Sequence, residues 1–252
     1  MNDNNKHKLS VIIPAYRQAR TIVTDIRNIE STLKKIRYPF EIIAVVDGYG
    51  DGTYRQLKKI LSPTVNATVY MKNQGKGHAV RIGMEKATGD YVAFMDAGRE
   101  IDPNGISMLL EHMEWYNADI IVGSKRHPVS YVNYPLTRRI LSRGYQYIIW
   151  ALFRLNVRDT QAGLKIFKRK VLKKVLPKLL VKQYAFDLEM LVVARHLGYK
   201  RIFEAPIKLK YNFYSMTRAS NMRAIYGIWI DTMAIFYRLY ILKYYDRKSI
   251  TK

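Results

Sequence analysis

Residues 41–61, EIIAVVDGYGDGTYRQLKKIL, carry the signals of a strand, a turn and a helix in direct succession. The apolar run at 41–47 is rich in β-branched residues and predicts a buried strand that ends on a carboxylate, Asp47. A glycine-rich turn follows, in which Asp51 or the threonine two residues later can cap a helix over residues 54–61. A strand that passes through a turn into a helix is typical of parallel sheets.

The same alternation extends in both directions from this stretch. Short apolar runs predict further strands at 9–14, 67–71, 90–96 and 118–124. Helical spacing and a helix-opening proline predict helices over 21–37, over 77–87 and from Pro103 onward. This alternation predicts an α/β fold: a Rossmann-like, mostly parallel sheet with helices on both faces. Ligands of such sheets bind beyond the carboxyl ends of the strands.

The second half of the chain has a different pattern. Residues 134–154 and 222–245 combine basic, apolar and aromatic residues at helical spacing, while a helix is predicted at 186–197 and a strand at 201–211. Basic amphipathic helices with aromatic residues suit a bilayer surface, and the alternative is that their apolar faces pack on the sheet. We predict membrane contact for the first two stretches and packing for 186–197.

The net charge of +23 is concentrated in one part of the chain. Residues 121–184 hold 15 basic residues and a single acid, Asp159, whereas residues 1–120 hold 16 basic and 14 acidic residues. Such a field favours an anionic partner, which could be a nucleic acid, an anionic bilayer or a phosphorylated substrate. Because the aromatic residues fall in apolar helices rather than in the stacking patterns of RNA-binding sheets, we predict no nucleic-acid partner.

The composition excludes several classes of protein. There is no cysteine, so disulfides, thiolate metal sites and cysteine nucleophiles are ruled out. The polar residues at 1–8 lack the apolar core of a signal peptide, and no apolar run approaches the ~18 uncharged residues of a spanning helix. We therefore expect a peripheral protein on the cytoplasmic face of a membrane, with no transmembrane helix.

Two acids end predicted strands of the same sheet. Asp47 and Asp96 each follow an apolar run, where a carboxylate gains nothing from the core. A single acid in such a place most often caps the next helix. Two of them at the ends of different strands, in a basic protein, favour recognition of a polar ligand or a metal ion.

Seven short elements follow one another along the chain. They are Pro14-Ala15-Tyr16, Asp47-Gly48-Tyr49-Gly50-Asp51-Gly52-Thr53, Asn73-Gln74-Gly75-Lys76-Gly77, Asp96-Ala97-Gly98, Gly123-Ser124-Lys125-Arg126, Arg158-Asp159-Thr160-Gln161 and Phe186-Asp187-Leu188-Glu189-Met190-Leu191. With them the sequence resembles the family 2 glycosyltransferases over about residues 9–218 and, more narrowly, the dolichyl- or polyprenyl-phosphate hexosyltransferases. The resemblance implies a GT-A fold in a domain over residues 1–218. An amphipathic basic helical extension over 219–252 would then contact a membrane surface or another protomer.

The resemblance also implies a nucleotide-sugar donor and a divalent metal ion. A diphosphate leaving group needs positive charge, and hard oxygen ligands favour Mg²⁺ or Mn²⁺. The metal is expected at Asp96, with Glu100 as a second ligand. The base and ribose are implied to lie at Pro14, Tyr16 and Asp47, and Arg218 is expected to clamp the diphosphate. The predicted donor contacts are Pro14, Ala15, Tyr16, Asp47, Lys76, Gly77, Asp96, Ala97 and Arg218.

The implied acceptor, a lipid monophosphate, needs cations more than a base. Its second pKa lies near ~6, so it is largely a dianion at neutral pH. Arginine can bind phosphate oxygens in a bidentate manner, and the predicted acceptor residues are Arg126, Arg139, Ser142 and Arg143. Asp159 could position these arginines, lie near the sugar or form an internal ion pair. The predicted catalytic set is Asp96, Asp159, Arg126 and Arg139.

Three positions depart from the family's pattern. Gly98 replaces the second acid of an Asp-Ala-Asp box, Gln18 stands where a glutamate is frequent, and Val46 replaces the first of two adjacent aspartates. The donor therefore stays open between UDP-glucose and GDP-mannose. The leading hypothesis is an inverting, metal-dependent hexosyltransferase that acts on a polyprenyl or dolichyl phosphate at an anionic membrane surface. The alternatives are a glycosyltransferase with another acceptor and a catalytically degenerate membrane-binding protein on the same fold.

Overall fold

A computed structural model describes residues 7–98, 101–127, 130, 136–183, 185–208 and 222–247, with residues 136–142 and 222–225 described as helix backbone. Seven strands form one sheet in the order β3-β2-β1-β4-β6-β5-β7. The strands are β1 (Leu9–Ala15), β2 (Phe40–Asp47), β3 (Val65–Tyr70), β4 (Tyr91–Met95), β5 (Ile120–Ser124), β6 (Leu164–Lys168) and β7 (Ile202–Pro206).

Six of these strands run in the same direction. β1 pairs in parallel with β2 and β4, β2 with β3, and β5 with β7. Only β6 is reversed, and it pairs antiparallel with both β4 and β5. The prediction of an α/β fold with a mostly parallel sheet is confirmed. Strand β6 was not predicted, because Lys165 interrupts the apolar run of its five residues, LKIFK.

Helices cover both faces of the sheet. They are α1 (Ile22–Leu33), α2 (Thr53–Lys58), α3 (Lys76–Lys86), α4 (Gly105–Trp115), α5 (Leu136–Phe153), α6 (Arg169–Val175), α7 (Phe186–His196) and α8 (Met222–Phe236). Apolar residues of α1, α2 and α4 form one core layer, and those of α3, α5, α6, α7 and α8 form the other. In the middle of β1, Ile12 packs in one layer while Val11 and Ile13 pack in the other, so this part of the strand is apolar on both faces.

The C-terminal helix packs on α5. The rings of Tyr145 and Trp229 meet edge to face at 5.7 Å, and the Tyr145 hydroxyl lies 3.1 Å from Oγ1 of Thr232. Phe153 and Phe236 make a second ring contact at 6.4 Å. One face of α5 and one face of α8 therefore belong to the core, as the packing alternative predicted. The prediction of packing for 186–197 is confirmed, because α7 is buried from its first residue through Ala194.

A buried carboxylate fastens the end of the chain to α7. Glu189 is fully buried, and its Oε2 accepts hydrogen bonds from the N–H groups of Leu180 (3.0 Å) and Val181 (2.8 Å). Its Oε1 accepts one from the hydroxyl of Tyr245 (2.7 Å) and lies 3.5 Å from Nη1 of Arg238. Burial raises the pKa of Glu189, and these donors offset part of that effect. The segment after α8 is thereby fixed to the helix that carries Asp187.

Among the described residues, no helix combines the length and the apolar character that crossing a bilayer would require. The predicted domain boundary at 218 lies outside the described residues.

A pair of helical glycines tests the packing of α3 on the sheet. A Cβ on Gly83 would lie 2.2 Å from Cγ2 of Ile12, whereas a Cβ on Gly144 of α5 would meet nothing within 4 Å. We expect Gly83→Ala to lower the free energy of unfolding by about 1–3 kcal/mol through overpacking. Gly144→Ala should raise it by up to about 1 kcal/mol, because alanine favours helix over glycine. Urea denaturation of both variants measures these changes in the free energy of unfolding. Equal changes in the two variants would contradict the close packing of Gly83 on Ile12.

Candidate functional site

The polar residues collect at one edge of the sheet. Because β1, β2, β4 and β5 are parallel, their carboxyl ends bring Tyr16, Asp47, Asp96 and Ser124 to the same side. The reversed strand β6 begins at this edge, so the loop before it joins the site. Strand order alone thus places together the elements that the sequence predicts for the donor and for the acceptor.

Asp96 leaves β4 against the backbone of Gly163. Its N–H donates to the carbonyl of Gly163 at 2.9 Å, which extends the β4–β6 ladder by one residue. A Cβ on Gly163 would lie only 2.2 Å from Oδ2 of Asp96. Glycine is therefore required at this position if the carboxylate is to keep its place.

Asp47 organises the loop that leads into α3. Its buried carboxylate accepts four hydrogen bonds: from the hydroxyl of Tyr70 (2.7 Å), Nδ2 of Asn73 (2.9 Å), and the N–H groups of Gln74 (2.7 Å) and Gly75 (3.0 Å). Burial and this bond to Asp47 raise the pKa of the Tyr70 hydroxyl. The four bonds use both carboxylate oxygens, so Asp47 shapes the loop. Its predicted contact with the base stays a prediction.

The loop delivers Lys76 to the end of β4. Lys76 is the first residue of α3, and its Nζ lies 2.7 Å from Oδ1 and 3.0 Å from Oδ2 of Asp96. The same Nζ lies 3.9 Å from Oδ2 of Asp187, the second residue of α7. Both side chains of the Lys76–Asp96 pair are partly exposed, at 37% and 39%. The pair therefore faces the space in which a ligand would bind.

A second ion pair lies directly beneath the first. Nζ of Lys165 is 2.6 Å from Oδ1 of Asp187 and 2.6 Å from the carbonyl of Ala162, and the lysine is fully buried. Burial lowers the pKa of Lys165, and the nearby Asp187 carboxylate offsets part of this shift. Both ammonium groups also lie near the ring of Phe94, at 5.1 Å for Lys165 and 5.6 Å for Lys76. We name these four side chains, Lys76, Asp96, Lys165 and Asp187, the charge cluster.

Sequence reasoning missed half of the charge cluster. Asp187 was noted within a motif without a role, and Lys165 was not considered. One signal was available, since a single lysine in the middle of an apolar run either breaks a strand or is buried with an acid.

The loop after β1 is tied to the turn after β2. The N–H of Gln18 donates to Oγ1 of Thr53 (2.9 Å), and Asp51 accepts hydrogen bonds from that hydroxyl (2.7 Å) and from the N–H of Thr53 (3.1 Å). Gly52 directly precedes α2, and Asp51, one of the two predicted capping residues, accepts a hydrogen bond from the backbone N–H of the first residue of the helix from one position further back. Tyr16, on the same loop, is 47% exposed at the rim, whereas Ala15 is buried.

A small basic cavity lies near the end of β5 and the start of β6. It has a volume of about 40 Å³ and is lined by α5 and by residues 157–161, together with Arg126. Nη1 of Arg126 donates to Oε1 of Gln146 (2.9 Å) and to the carbonyl of Arg158 (3.0 Å). In this cavity wall Nε2 of Gln161 is buried and has no hydrogen-bond partner among the described residues.

Asp159 holds the turn that carries Arg126. Its Oδ2 accepts a hydrogen bond from the N–H of Lys125 (3.1 Å), and its own N–H donates to Oε1 of Glu204 on β7 (3.0 Å). Asp159 therefore supports the backbone next to Arg126, and its predicted roles stay predictions. Arg143 is exposed on α5. Arg139 and Ser142 lie on the same helix, with side chains outside the described part, and Glu100 and Arg218 lie outside the described residues.

The charge cluster can hold a divalent ion through one carboxylate. Magnesium commonly binds through one or two carboxylates together with substrate phosphates and water. Asp96, at a strand end and partly exposed, fits this pattern, and Gly98 removes the second acid of the box. Among the described residues, no three His, Cys, Asp or Glu side chains are grouped so that they could hold a metal ion. The remaining ligands would come from the diphosphate, from water and from the predicted Glu100, which lies outside the described residues.

The chain belongs to glycosyl transferase family 2, whose model matches residues 10–176. It is 30% identical over 213 residues to a dolichyl-phosphate β-glucosyltransferase of Drosophila melanogaster, covering 78% of this chain and 65% of that protein. It is also 30% identical over 251 residues to a UDP-N-acetylglucosamine–dolichyl-phosphate N-acetylglucosaminyltransferase of Methanococcus voltae, covering 92% of this chain and 95% of that protein. The recognition of the family from its motifs is confirmed.

Solved structures share the fold at low sequence identity. Mannosyl-3-phosphoglycerate synthase from Rubrobacter xylanophilus has a TM-score of 0.66 at 16% identity, covering 94% of this chain and 75% of that chain. Glucosyl-3-phosphoglycerate synthase from Mycobacterium tuberculosis, in complex with Mn²⁺, UDP and phosphoglyceric acid, has a TM-score of 0.66 at 16% identity, covering 91% and 78%. These likenesses confirm the GT-A fold.

Each member of the buried ion pair of the charge cluster should depend on the other for its contribution to stability. Lys165→Met leaves the nearly buried carboxylate of Asp187 with Lys76, at 3.9 Å, as its remaining ion-pair partner in the charge cluster. We expect the free energy of unfolding to fall by about 3–5 kcal/mol. The double variant Lys165→Met/Asp187→Leu should lose less than the single variant, because no uncompensated charge is left in the core. Chemical denaturation of both proteins measures the difference. A double variant less stable than Lys165→Met would contradict this account.

Proposed function

We propose that this glycosyltransferase moves a hexose from a nucleotide sugar to a polyprenyl or dolichyl phosphate, with inversion at the sugar carbon. The observation that carries the proposal is the Lys76–Asp96 pair at the end of β4. In the sheet β4 lies between β1, which leads into the Tyr16 loop, and β6, which follows the loop that lines the basic cavity. A leaving diphosphate and an attacking phosphate both need cations, and this arrangement offers cations on both sides of one carboxylate.

On the donor side, the proposal assigns the nucleotide to the Tyr16 loop and the loop of Asp47. Lys76 and Gly77 at the start of α3 would contact the diphosphate, aided by the partial positive charge of the helix N-terminus. Mg²⁺ or Mn²⁺ at Asp96 would neutralise the charge that develops on the leaving group, with Glu100, Ala97 and Arg218 as further predicted contacts. UDP-glucose ranks ahead of GDP-mannose as the donor, because the relatives are named for glucose and for UDP-N-acetylglucosamine.

On the acceptor side, the proposal assigns the lipid phosphate to the cavity of Arg126. The phosphate dianion needs no general base, so its orientation is the main requirement. Arg126 is held by Gln146, and the turn before it is held by Asp159. The buried amide of Gln161 offers a further unused donor to an anion. Arg139, Ser142 and Arg143 on α5 remain the predicted completion of this phosphate site.

The proposed lipid acceptor requires a membrane, and an apolar surface suits this role. Several large apolar side chains on α5, on α8 and at the first residue after α8 are about half exposed or more: Tyr147, Trp150, Tyr226, Ile230, Met233 and Tyr237. The spacing of the last four residues places them on one face of α8 and of the helical turn that continues it. Exposed Arg143 lies on α5, and exposed Lys243 and Arg247 lie in the segment after α8, which suits an anionic bilayer. We propose peripheral binding at the cytoplasmic face of a membrane.

The reaction itself can be tested by the release of nucleoside diphosphate. Protein incubated with Mn²⁺ and a polyprenyl phosphate should release UDP or GDP from one nucleotide sugar, and only when the lipid is present. Asp96→Asn should lower the rate by at least about 100-fold, as expected for a group that acts in the transition state. Asp90→Asn, the same change at the opposite end of β4, should leave the rate within about twofold. Release without lipid, or with a different acceptor only, would contradict the proposed acceptor.

Membrane binding can be tested by flotation with liposomes that contain anionic lipid. We expect Ile230→Glu/Met233→Glu to lose most of the bound fraction, because the change places charge on the apolar face of α8. A matched control is Met108→Glu/Trp115→Glu on α4, which covers the opposite face of the sheet and also exposes large apolar residues. Equal loss in both variants would argue against a bilayer at α8.

A further inference from the structure

Lys76 occupies the carboxylate that the proposed metal would need. Its Nζ lies within 3.0 Å of both oxygens of Asp96, so one ammonium group engages the whole carboxylate. Magnesium binds its oxygen ligands at ~2.0–2.1 Å, whereas an ammonium group holds them at ~2.7–2.9 Å. Two cations on one carboxylate would also repel each other. The lysine and the metal ion therefore compete for Asp96.

The other ion pair of the charge cluster is held in place by burial and by a further hydrogen bond. Oδ1 of Asp187 is bound by Lys165 at 2.6 Å, and Lys165 is fully buried between β6 and α7. Lys165 also donates to the carbonyl of Ala162, which fixes its position. Lys76, by contrast, has a side chain that is 37% exposed on a flexible stem. Lys76 is the member of the cluster that can move.

The net charge of the charge cluster indicates where Lys76 would move. Two lysines and two aspartates sum to zero, so a metal ion alone would add two uncompensated positive charges. A diphosphate brings the missing negative charge and offers oxygens to a displaced ammonium group at the start of α3. Resting on the proposed function, we infer that Lys76 moves from Asp96 to the diphosphate when metal and nucleotide bind together. Lys76 thus keeps the metal site closed until the nucleotide arrives.

Manganese binding to the full-length protein tests this exchange directly. The free Mn²⁺ signal in electron paramagnetic resonance gives the affinity without nucleotide and again with UDP or GDP. Wild-type protein should bind Mn²⁺ weakly alone and at least about tenfold more tightly with the nucleotide it recognises, since the two bindings are linked. Lys76→Met should bind Mn²⁺ alone at least about tenfold more tightly than wild type, and nucleotide should then add little.

Matched variants separate the exchange from a general charge effect. Lys72→Met removes one positive charge from the exposed loop before α3 and should leave Mn²⁺ affinity unchanged. Lys76→Arg keeps the positive charge and should bind Mn²⁺ alone as weakly as wild type. If Lys76→Met proves unstable in thermal melts, tighter Mn²⁺ binding by Lys76→Arg than by wild type would still contradict the exchange. Asp96→Asn should abolish the gain in the Lys76→Met background.

Two results have different meanings. If Lys76→Met binds Mn²⁺ alone no better than wild type, the exchange is wrong, whatever the donor. If wild-type protein binds neither UDP nor GDP at any Mn²⁺ concentration, the proposed function fails, while the comparison of metal affinities still decides whether Lys76 blocks Asp96.

Discussion

The site depends on an ion pair in the core, between Lys165 of β6 and Asp187 of α7. Removing both charges from water costs several kcal/mol per ion, so such a pair persists only when close geometry and further hydrogen bonds offset the cost. Here the ammonium lies 2.6 Å from both its carboxylate and a backbone carbonyl. The pair fixes α7 against the sheet and presents the other oxygen of Asp187 toward Lys76. The exposed pair of Lys76 and Asp96 is thus built on a rigid buried one.

Much of the fold could be predicted because its signals are local. The strands at 41–47 and 90–96 and the helix after Asp51 were all predicted from neighbouring residues, and the structure places them as expected. The reversed strand β6 was missed because Lys165 interrupts its apolar pattern. The lysine fits a buried strand only once its partner Asp187, 22 residues later, is known. Contacts between residues that are far apart in the chain cannot be predicted from the local pattern of a single sequence.

In the candidate site, too, some features could be predicted from the sequence and others could not. Asp96 and Lys76 were predicted from a resemblance in short motifs, and the structure brings their charged groups within 3.0 Å. Asp47 was predicted as a ligand contact, whereas the structure gives it four hydrogen bonds within the protein. A motif identifies a residue but cannot tell whether its side chain faces the ligand or supports the loop. That distinction depends on which backbone N–H groups converge on the carboxylate, here those of Gln74 and Gly75.

The reversal of β6 has a consequence for how such enzymes can diversify. The seam between β4 and β6 consists of backbone hydrogen bonds, which form with almost any side chain. On one side of this seam lie the loops assigned to the nucleotide, and on the other those assigned to the acceptor. Loops on the acceptor side can therefore be replaced without altering the register of the nucleotide-side strands. On these assignments the fold would be modular, because loops for a new acceptor could be acquired while the loops assigned to the nucleotide are inherited unchanged.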